Sequence, residues 1–244
     1  MRTVILRQGS SGPFVRDLQL ALNTRLNPSP NLQLSGVFAP QTERALTAFQ
    51  RANWLEEDGI AGPCTLDVLY ETETQPPILH PVPYIPQNTA AGGWAAATAM
   101  LVNTSSARVQ NATPTHLLTS QGALPTQNSL GDGALMLQIF AKWHGLQFFA
   151  AQSWSVGALI GKVRQSPVMV SMLSRSHAPP RLPDLSGKYL VVVGARGSHT
   201  ADGRSTTLRI FDPDPAHSDG VFSLTYTTVL RHAPHAAYGI FTRA

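Results

Sequence analysis

Residues 82–100 read Val82–Pro83–Tyr84–Ile85–Pro86–Gln87–Asn88–Thr89–Ala90–Ala91–Gly92–Gly93–Trp94–Ala95–Ala96–Ala97–Thr98–Ala99–Met100. Pro81 and Pro83 keep the entry extended, because proline fixes its own φ and biases the preceding residue away from the helical region. From Trp94 onward the chain turns apolar, and the Ala-rich run to Val102 predicts a buried helix suited to close packing. Ala134–His144 reads as a second helix with Leu135, Ile139, Phe140 and Trp143 on its apolar side, and Ser155–Val163 as a third. Strands are predicted at Val168–Met172, Tyr189–Val193, Thr207–Phe211, Val221–Leu224 and Tyr238–Phe241, with clear period-two alternation at Thr207–Phe211. Leu173–Ser186, rich in Ser, Pro and Arg, reads as an exposed loop. Residues 82–244 are therefore expected to form one α+β domain.

The spacing inside the opening stretch carries more. Gln87 stands six positions before Gly93, and Trp94 follows directly. Downstream, Ser186–Gly187–Lys188–Tyr189 precedes an apolar run through Val193, and Ile210–Phe211–Asp212–Pro213 ends a strand on an acid. These segments resemble papain-like cysteine peptidases. In that family a Gln lies six residues before a nucleophilic Cys, a Trp follows the Cys, and the catalytic His sits in Gly-His-Tyr ahead of an apolar strand. An Asp-Pro segment carries the Asp that orients the His. The resemblance implies a papain-like α+β domain with Gln87 as the oxyanion donor, Gly93 at the nucleophile position, Lys188 at the base position and Asp212 as the orienter.

It also implies that no catalytic set is intact. A thiolate is the working atom of this chemistry, and Gly93 has no side chain. A lysine gives up its proton near pH 10.4, where imidazole titrates near about 6.5, so Lys188 is a poor base for a thiol. Lys188 is expected to pair with Asp212, an ion pair in place of the His–Asp hydrogen bond; the alternative is a solvated lysine without a role. Thr89 and Thr98 are nearby hydroxyls with no recognisable activating partner. His177 or His199 as a substitute base achieves little without a nucleophile.

The chain has 244 residues, of which 43% are hydrophobic and 13% charged, with 19 Gly and 19 Pro. This suits a real core and many turns. The net charge of +4 comes without any Lys/Arg run, so a nucleic-acid partner is not expected, whereas a weak positive field favours an anionic polymer. One cysteine, Cys64, excludes an internal disulfide and any Cys-based zinc site. His199, His217, His232 and His235 lack the spacing of a metal-binding helix face, so neither a metal nor a cofactor is expected. No apolar stretch reaches membrane-span length.

Residues 1–71 read as a small all-α domain of three helices, followed by a Pro-rich linker at 72–81. Gly36–Val37–Phe38–Ala39–Pro40–Gln41–Thr42 and Gly59–Ile60–Ala61–Gly62–Pro63–Cys64–Thr65 form a near-repeat. In each, a Gly turn leads to a Pro at the first helical position, where its missing N–H costs nothing. Apolar residues recur at helical spacing: Val15, Leu18, Leu22 and Leu26; Ala45, Leu46 and Phe49; Leu66 and Leu69. With Gly9, Gln19, Gln50, Leu55 and Asp58, these positions resemble the three-helix type of peptidoglycan-binding domain. The family usually has Asp and Gly where this chain has Ser35 and Ala39. The resemblance implies peptidoglycan as partner, with Thr42, Asp58, Gly59 and Thr65 as candidate contacts. A helical spacer reusing the same fold is the alternative.

Two functions compete. One is a non-catalytic wall-binding protein whose vestigial cleft, around Gln87, Trp94 and Asp212, binds a peptide, a wall stem peptide or a protein partner. The other is an enzyme, a papain-like peptidase or peptidoglycan amidase, and whether Gly93 is natural or engineered stays open. Met1–Gly9 lacks the apolar core of a signal peptide. A bacterial protein acting in the periplasm or wall is then expected to arrive by phage lysis, a contractile secretion apparatus or another route outside the general pathway.

Overall fold

A computed structural model describes residues 4–126, 132–172, 187–214, 220–232 and 237–244. The predicted loop Leu173–Ser186, with His177, and the candidates His217 and His235 lie outside the described residues. The chain divides into two compact units: Met1–Pro77 with Arg196–Leu208 and Ser223–Tyr226, and Ile78–Ala195 with Arg209–Phe222 and Thr227–Ala244.

The first unit is built on α1 (Pro13–Arg25), α2 (Pro40–Ala52) and α3 (Pro63–Leu69). Each starts on a proline, in the position where a helix makes no use of the N–H. Val15, Leu18 and Leu22 of α1 meet Leu46 and Phe49 of α2 and Val68 and Leu69 of α3 in one core. Each such side chain contributes about 1.5–3 kcal/mol through the area it removes from water. Gly36 and Gly59 take φ values of 70° and 68°, the left-handed region that glycine enters without strain. Two isolated bridges, Leu6 to Ala61 and Ser11 to Val37, tie the N-terminal segment across the two turns.

Residues from late in the chain complete this unit. Arg196 donates from Nε and Nη2 to the Glu73 carboxylate at 3.2 and 2.7 Å, and from Nη1 to the Asn53 carbonyl at 2.7 Å. Its guanidinium lies 5.0 Å from the centre of the Trp54 ring. Ser198 donates to Asp67 at 2.9 Å.

From residue 78 on the chain carries β1 (Ile78–Leu79), α4 (Gly93–Val102), α5 (Ser106–Ala112), a 3-10 turn (Thr115–Leu117), α6 (Gly133–Trp143), β2 (Leu146–Gln152), α7 (Val156–Gln165) and β3 (Val168–Met172). Then follow β4 (Tyr189–Arg196), β5 (Thr207–Phe211), β6 (Val221–Thr225), α8 (Tyr226–His232) and β7 (Tyr238–Arg243). Among the described residues a seven-stranded sheet runs β2-β7-β3-β4-β5-β6, with β1 beside β4. The pairs β2–β7, β7–β3, β3–β4 and β1–β4 are antiparallel. β3 and β4 are buried along their whole length, hence their unbroken apolar sequences. Gly194 is required where β1 crosses β4, because a Cβ there would lie 2.6 Å from the Ile78 carbonyl oxygen. α4 is buried from Trp94 through Leu101, and the Trp94 ring meets Phe140 edge-on at 5.6 Å.

The apolar side expected for the helix near 134–144 is corrected. α6 buries Gly133, Leu137, Phe140 and Ala141, whereas Leu135, Ile139 and Trp143 are 52%, 41% and 58% exposed. The helix has two apolar stripes, each at i, i+4 spacing, and only the one containing Phe140 faces the core. The sequence reading also passed over α5, α8, β1 and β2. α8 opens on Tyr226–Thr227–Thr228–Val229, residues that favour strands, and β2 is only half-buried with weak alternation.

Candidate functional site

The N-terminus of α4 faces a cleft of about 150 Å³ in the second unit, and Gln87, Gly93, Trp94, Lys188 and Asp212 all line it. These residues come from three separate stretches of sequence. The segment before α4 is fixed by a hydrogen bond from the Gln87 N–H to the Pro213 carbonyl at 2.7 Å, which sets Gln87 beside the Asp212 strand end. A Cβ placed on Gly93 would lie 2.9 Å from Gln87 Oε1, so the two positions are direct neighbours. Trp94 is nearly fully buried, and its indole N–H donates to the Gly122 carbonyl at 3.1 Å.

Lys188 Nζ donates to Asp212 Oδ2 at 2.8 Å and lies 3.3 Å from Asp214 Oδ2. The Asp212 side chain is only 6% exposed. Its other oxygen, Oδ1, accepts the Asp214 N–H at 2.9 Å, an Asx turn. Tyr84 donates its hydroxyl to the Asp212 carbonyl at 2.8 Å and packs edge-on against Phe211. Burial alone would pull the Lys188 ammonium down, but the hydrogen bond and charge of Asp212, with Asp214 behind it, outweigh that and raise its pKa above the ordinary lysine value. A lysine held so firmly protonated is not a base at neutral pH.

Other nucleophile candidates are engaged elsewhere. Thr98 is fully buried, its hydroxyl against the Met169 sulfur at 3.8 Å, while Thr89 is exposed. Cys64 belongs to the first unit, where its thiol contacts the Arg196 carbonyl at 3.8 Å and accepts from Thr207 at 3.2 Å. Burial pushes this thiol up to about 11, so it is not a thiolate at neutral pH. His199 Nδ1 sits 3.4 Å from the Thr206 hydroxyl, and His232 is buried. Among the described residues no three His, Cys, Asp or Glu side chains group as metal ligands would.

In the helical unit, Thr42, Asp58, Gly59 and Thr65 gather around two buried glutamines. Gln50 Nε2 donates to Asp58 Oδ1 at 2.8 Å, the Ile60 carbonyl at 3.0 Å and Thr65 Oγ1 at 3.4 Å, while Oε1 accepts the Gly59 N–H at 3.0 Å. Gln19 repeats the pattern one turn earlier in the fold: Nε2 to Ser35 Oγ at 3.3 Å, the Val37 carbonyl at 3.0 Å and Thr42 Oγ1 at 3.2 Å, with Oε1 accepting from Gly36. Ser35 thus stands in the place that Asp58 takes in the second turn. Sequence reasoning missed Asp214 as a member of the cleft and Tyr84 as the donor to the Asp212 carbonyl. The signal for Asp214 was the Asp-Pro-Asp run, since an Asx turn at Asp212 holds the main chain of residue 214 beside it.

Comparisons with known proteins match part of the chain. The solved N-terminal domain of SleB is 33% identical, over 28% of this chain and 92% of that one, with a TM-score of 0.26. A Burkholderia AP3 phage endolysin is 26% identical, over 45% of this chain and 38% of that one, with a TM-score of 0.27. A zinc D-Ala-D-Ala carboxypeptidase of Streptomyces albus G is 40% identical over 68 residues, 28% of this chain and 27% of that protein. The chain thus spans about a quarter of the length of that curated relative. No helix among the described residues is long and apolar enough to cross a membrane. The family of peptidoglycan binding domains matches residues 11–69, so the N-terminal helical region of this α+β chain is a peptidoglycan-binding domain.

Proposed function

We propose that the chain is a bacterial cell-wall-binding protein whose second unit is a disarmed papain-like domain that holds a peptide or a partner protein without cleaving it. The observation that carries this reading is the Lys188–Asp212 ion pair at 2.8 Å, set in the same cleft as Gln87 and a glycine at position 93. The positions that resemble a nucleophile and a base hold a residue without a side chain and a cation with raised pKa. Bond cleavage by acyl transfer needs an activated nucleophile with a base beside it, and among the described residues the nucleophile-like and base-like positions of this cleft, Gly93 and Lys188, supply neither. Donor and acceptor groups for a peptide backbone remain: the Gln87 amide and the carboxylate of Asp214.

The peptidoglycan-binding domain makes the bacterial wall the place of action, with peptidoglycan as the first partner. Incubating the full chain with isolated sacculi, and following both the pelleted protein and the soluble fragments by mass spectrometry, tests the reading. Binding without release of muropeptides is the expected result. Release of peptide or sugar–peptide fragments by the chain as it stands would overturn it in favour of an enzyme.

A further inference from the structure

We propose that the peptidoglycan seat of the helical unit is the groove between residues 26–32 and one face of α2, and that it takes the carboxylate-bearing stem peptide of the polymer. The inference rests on the wall-binding reading above and assigns that binding to particular residues. The groove encloses about 740 Å³, within the size range of small-ligand sites that combine an apolar floor with a few polar groups. Pro28, Ala45 and Ala48 form its floor, and Asn31, Gln41 and Arg44 stand at its rim.

Charge points to the occupant. Arg44 is the only charged residue lining the groove, with no carboxylate there to oppose it. Its guanidinium is exposed and finds no partner among the described residues. Two other arginines of this unit are paired, Arg25 with Glu71 and Arg51 with Glu57. A guanidinium offers a carboxylate two parallel N–H donors. Stem peptides supply such carboxylates, together with amides for Asn31 and Gln41 and alanine methyl groups for the apolar floor. The groove wall is formed in advance, because Asn23 clamps Leu32 through a reciprocal pair, the Leu32 N–H to Oδ1 at 2.7 Å and Nδ2 to the Leu32 carbonyl at 2.9 Å. A site already ordered loses less entropy on binding. Thr42 and Thr65, by contrast, are buried and hydrogen-bonded to Gln19 and Gln50, so their role is to hold the turns.

The test is co-sedimentation of the full chain with sacculi as a titration. Wild type is compared with Arg44→Ala, Arg44→Glu and Ala48→Trp, and with Arg51→Ala as a control outside the groove. Thermal melts of each variant separate loss of binding from loss of fold. The expected result is an apparent affinity about tenfold weaker for Arg44→Ala, the loss of one charge-assisted contact. Arg44→Glu and Ala48→Trp fall further, and Arg51→Ala stays at the wild-type value. Sacculi whose carboxyl groups have been amidated retain little wild-type protein. If wild type and all groove variants bind alike, the groove is overturned and wall binding stands. If amidated sacculi bind as well as native ones, the carboxylate assignment is overturned. If wild type itself stays in the supernatant, both this inference and the wall-binding reading fail.

Discussion

In the helical unit Gln50 is fully buried, and its amide is consumed by the fold: three acceptors for Nε2 and the Gly59 N–H for Oε1. At the cleft of the second unit Gln87 is half-buried. Its main chain is tied to Pro213, but its side-chain amide finds no partner among the described residues. The same side chain thus serves as an internal strut in one region and as an unspent donor in the other. Polar groups inside a fold must be satisfied internally or their desolvation is uncompensated, while groups left unsatisfied at a concave surface are free to meet a ligand. The Lys188–Asp212 pair lies between these cases, buried enough to hold the cleft together and exposed enough to line it.

Gln50→Leu should give the largest effect, a destabilisation of about 3 kcal/mol, since it strands the Gly59 N–H and the Ile60 carbonyl in a buried turn. Urea unfolding measures it, and a loss under 1 kcal/mol would show that the turn does not depend on the amide. Lys188→Met comes next at about 2 kcal/mol, because it leaves the Asp212 carboxylate without its cation. A variant as stable as wild type would make Lys188 a surface lysine instead.

The Lys188 contribution also has a pH signature. Its folded pKa is raised, so its stabilisation is fully present below the unfolded lysine value of about 10.4 and is lost as pH rises through the higher folded value. The stability gap between wild type and Lys188→Met is therefore expected to be constant from neutral pH into mild alkali and to close only above that value. A gap that closed below pH 9 would contradict the ion pair. Gln87→Ala should change stability least, by under about 0.5 kcal/mol, while weakening any ligand held in the cleft. A large stability loss there would erase the contrast with Gln50.

Much of this was legible in the chain. The second and third helix starts were marked by Pro40 and Pro63, and the two turns by Gly36 and Gly59. The spacing of Gln87, Gly93 and Trp94, with Lys188 and Asp212 far downstream, anticipated residues that share one cleft, including the ion pair itself. Other features were hidden for physical reasons. Glu73 reads as linker, yet its carboxylate is held by Arg196; a pairing across so many residues leaves no local pattern. The outward turn of Leu135, Ile139 and Trp143 was hidden because α6 carries two apolar stripes, and only packing decides between them. The groove beside Arg44 was hidden because it depends on where residues 26–32 fold back.

The most direct test of the disarmed-peptidase account is to restore the two missing groups together, Gly93→Cys with Lys188→His, and measure alkylation of the introduced thiol by iodoacetamide against pH. The buried Cys64 serves as the slow background in the unsubstituted chain. A Cβ at Gly93 meets only the flexible end of Gln87, so the backbone accommodates it. The account predicts a thiol that reacts well below the ordinary cysteine range of about 8.5, because an imidazolium oriented by Asp212 lowers its pKa, and that loses this shift when position 188 is left uncharged by Lys188→Gln instead. A thiol titrating near the ordinary value in both variants would contradict the assignment of positions 93 and 188 as the lost nucleophile and base.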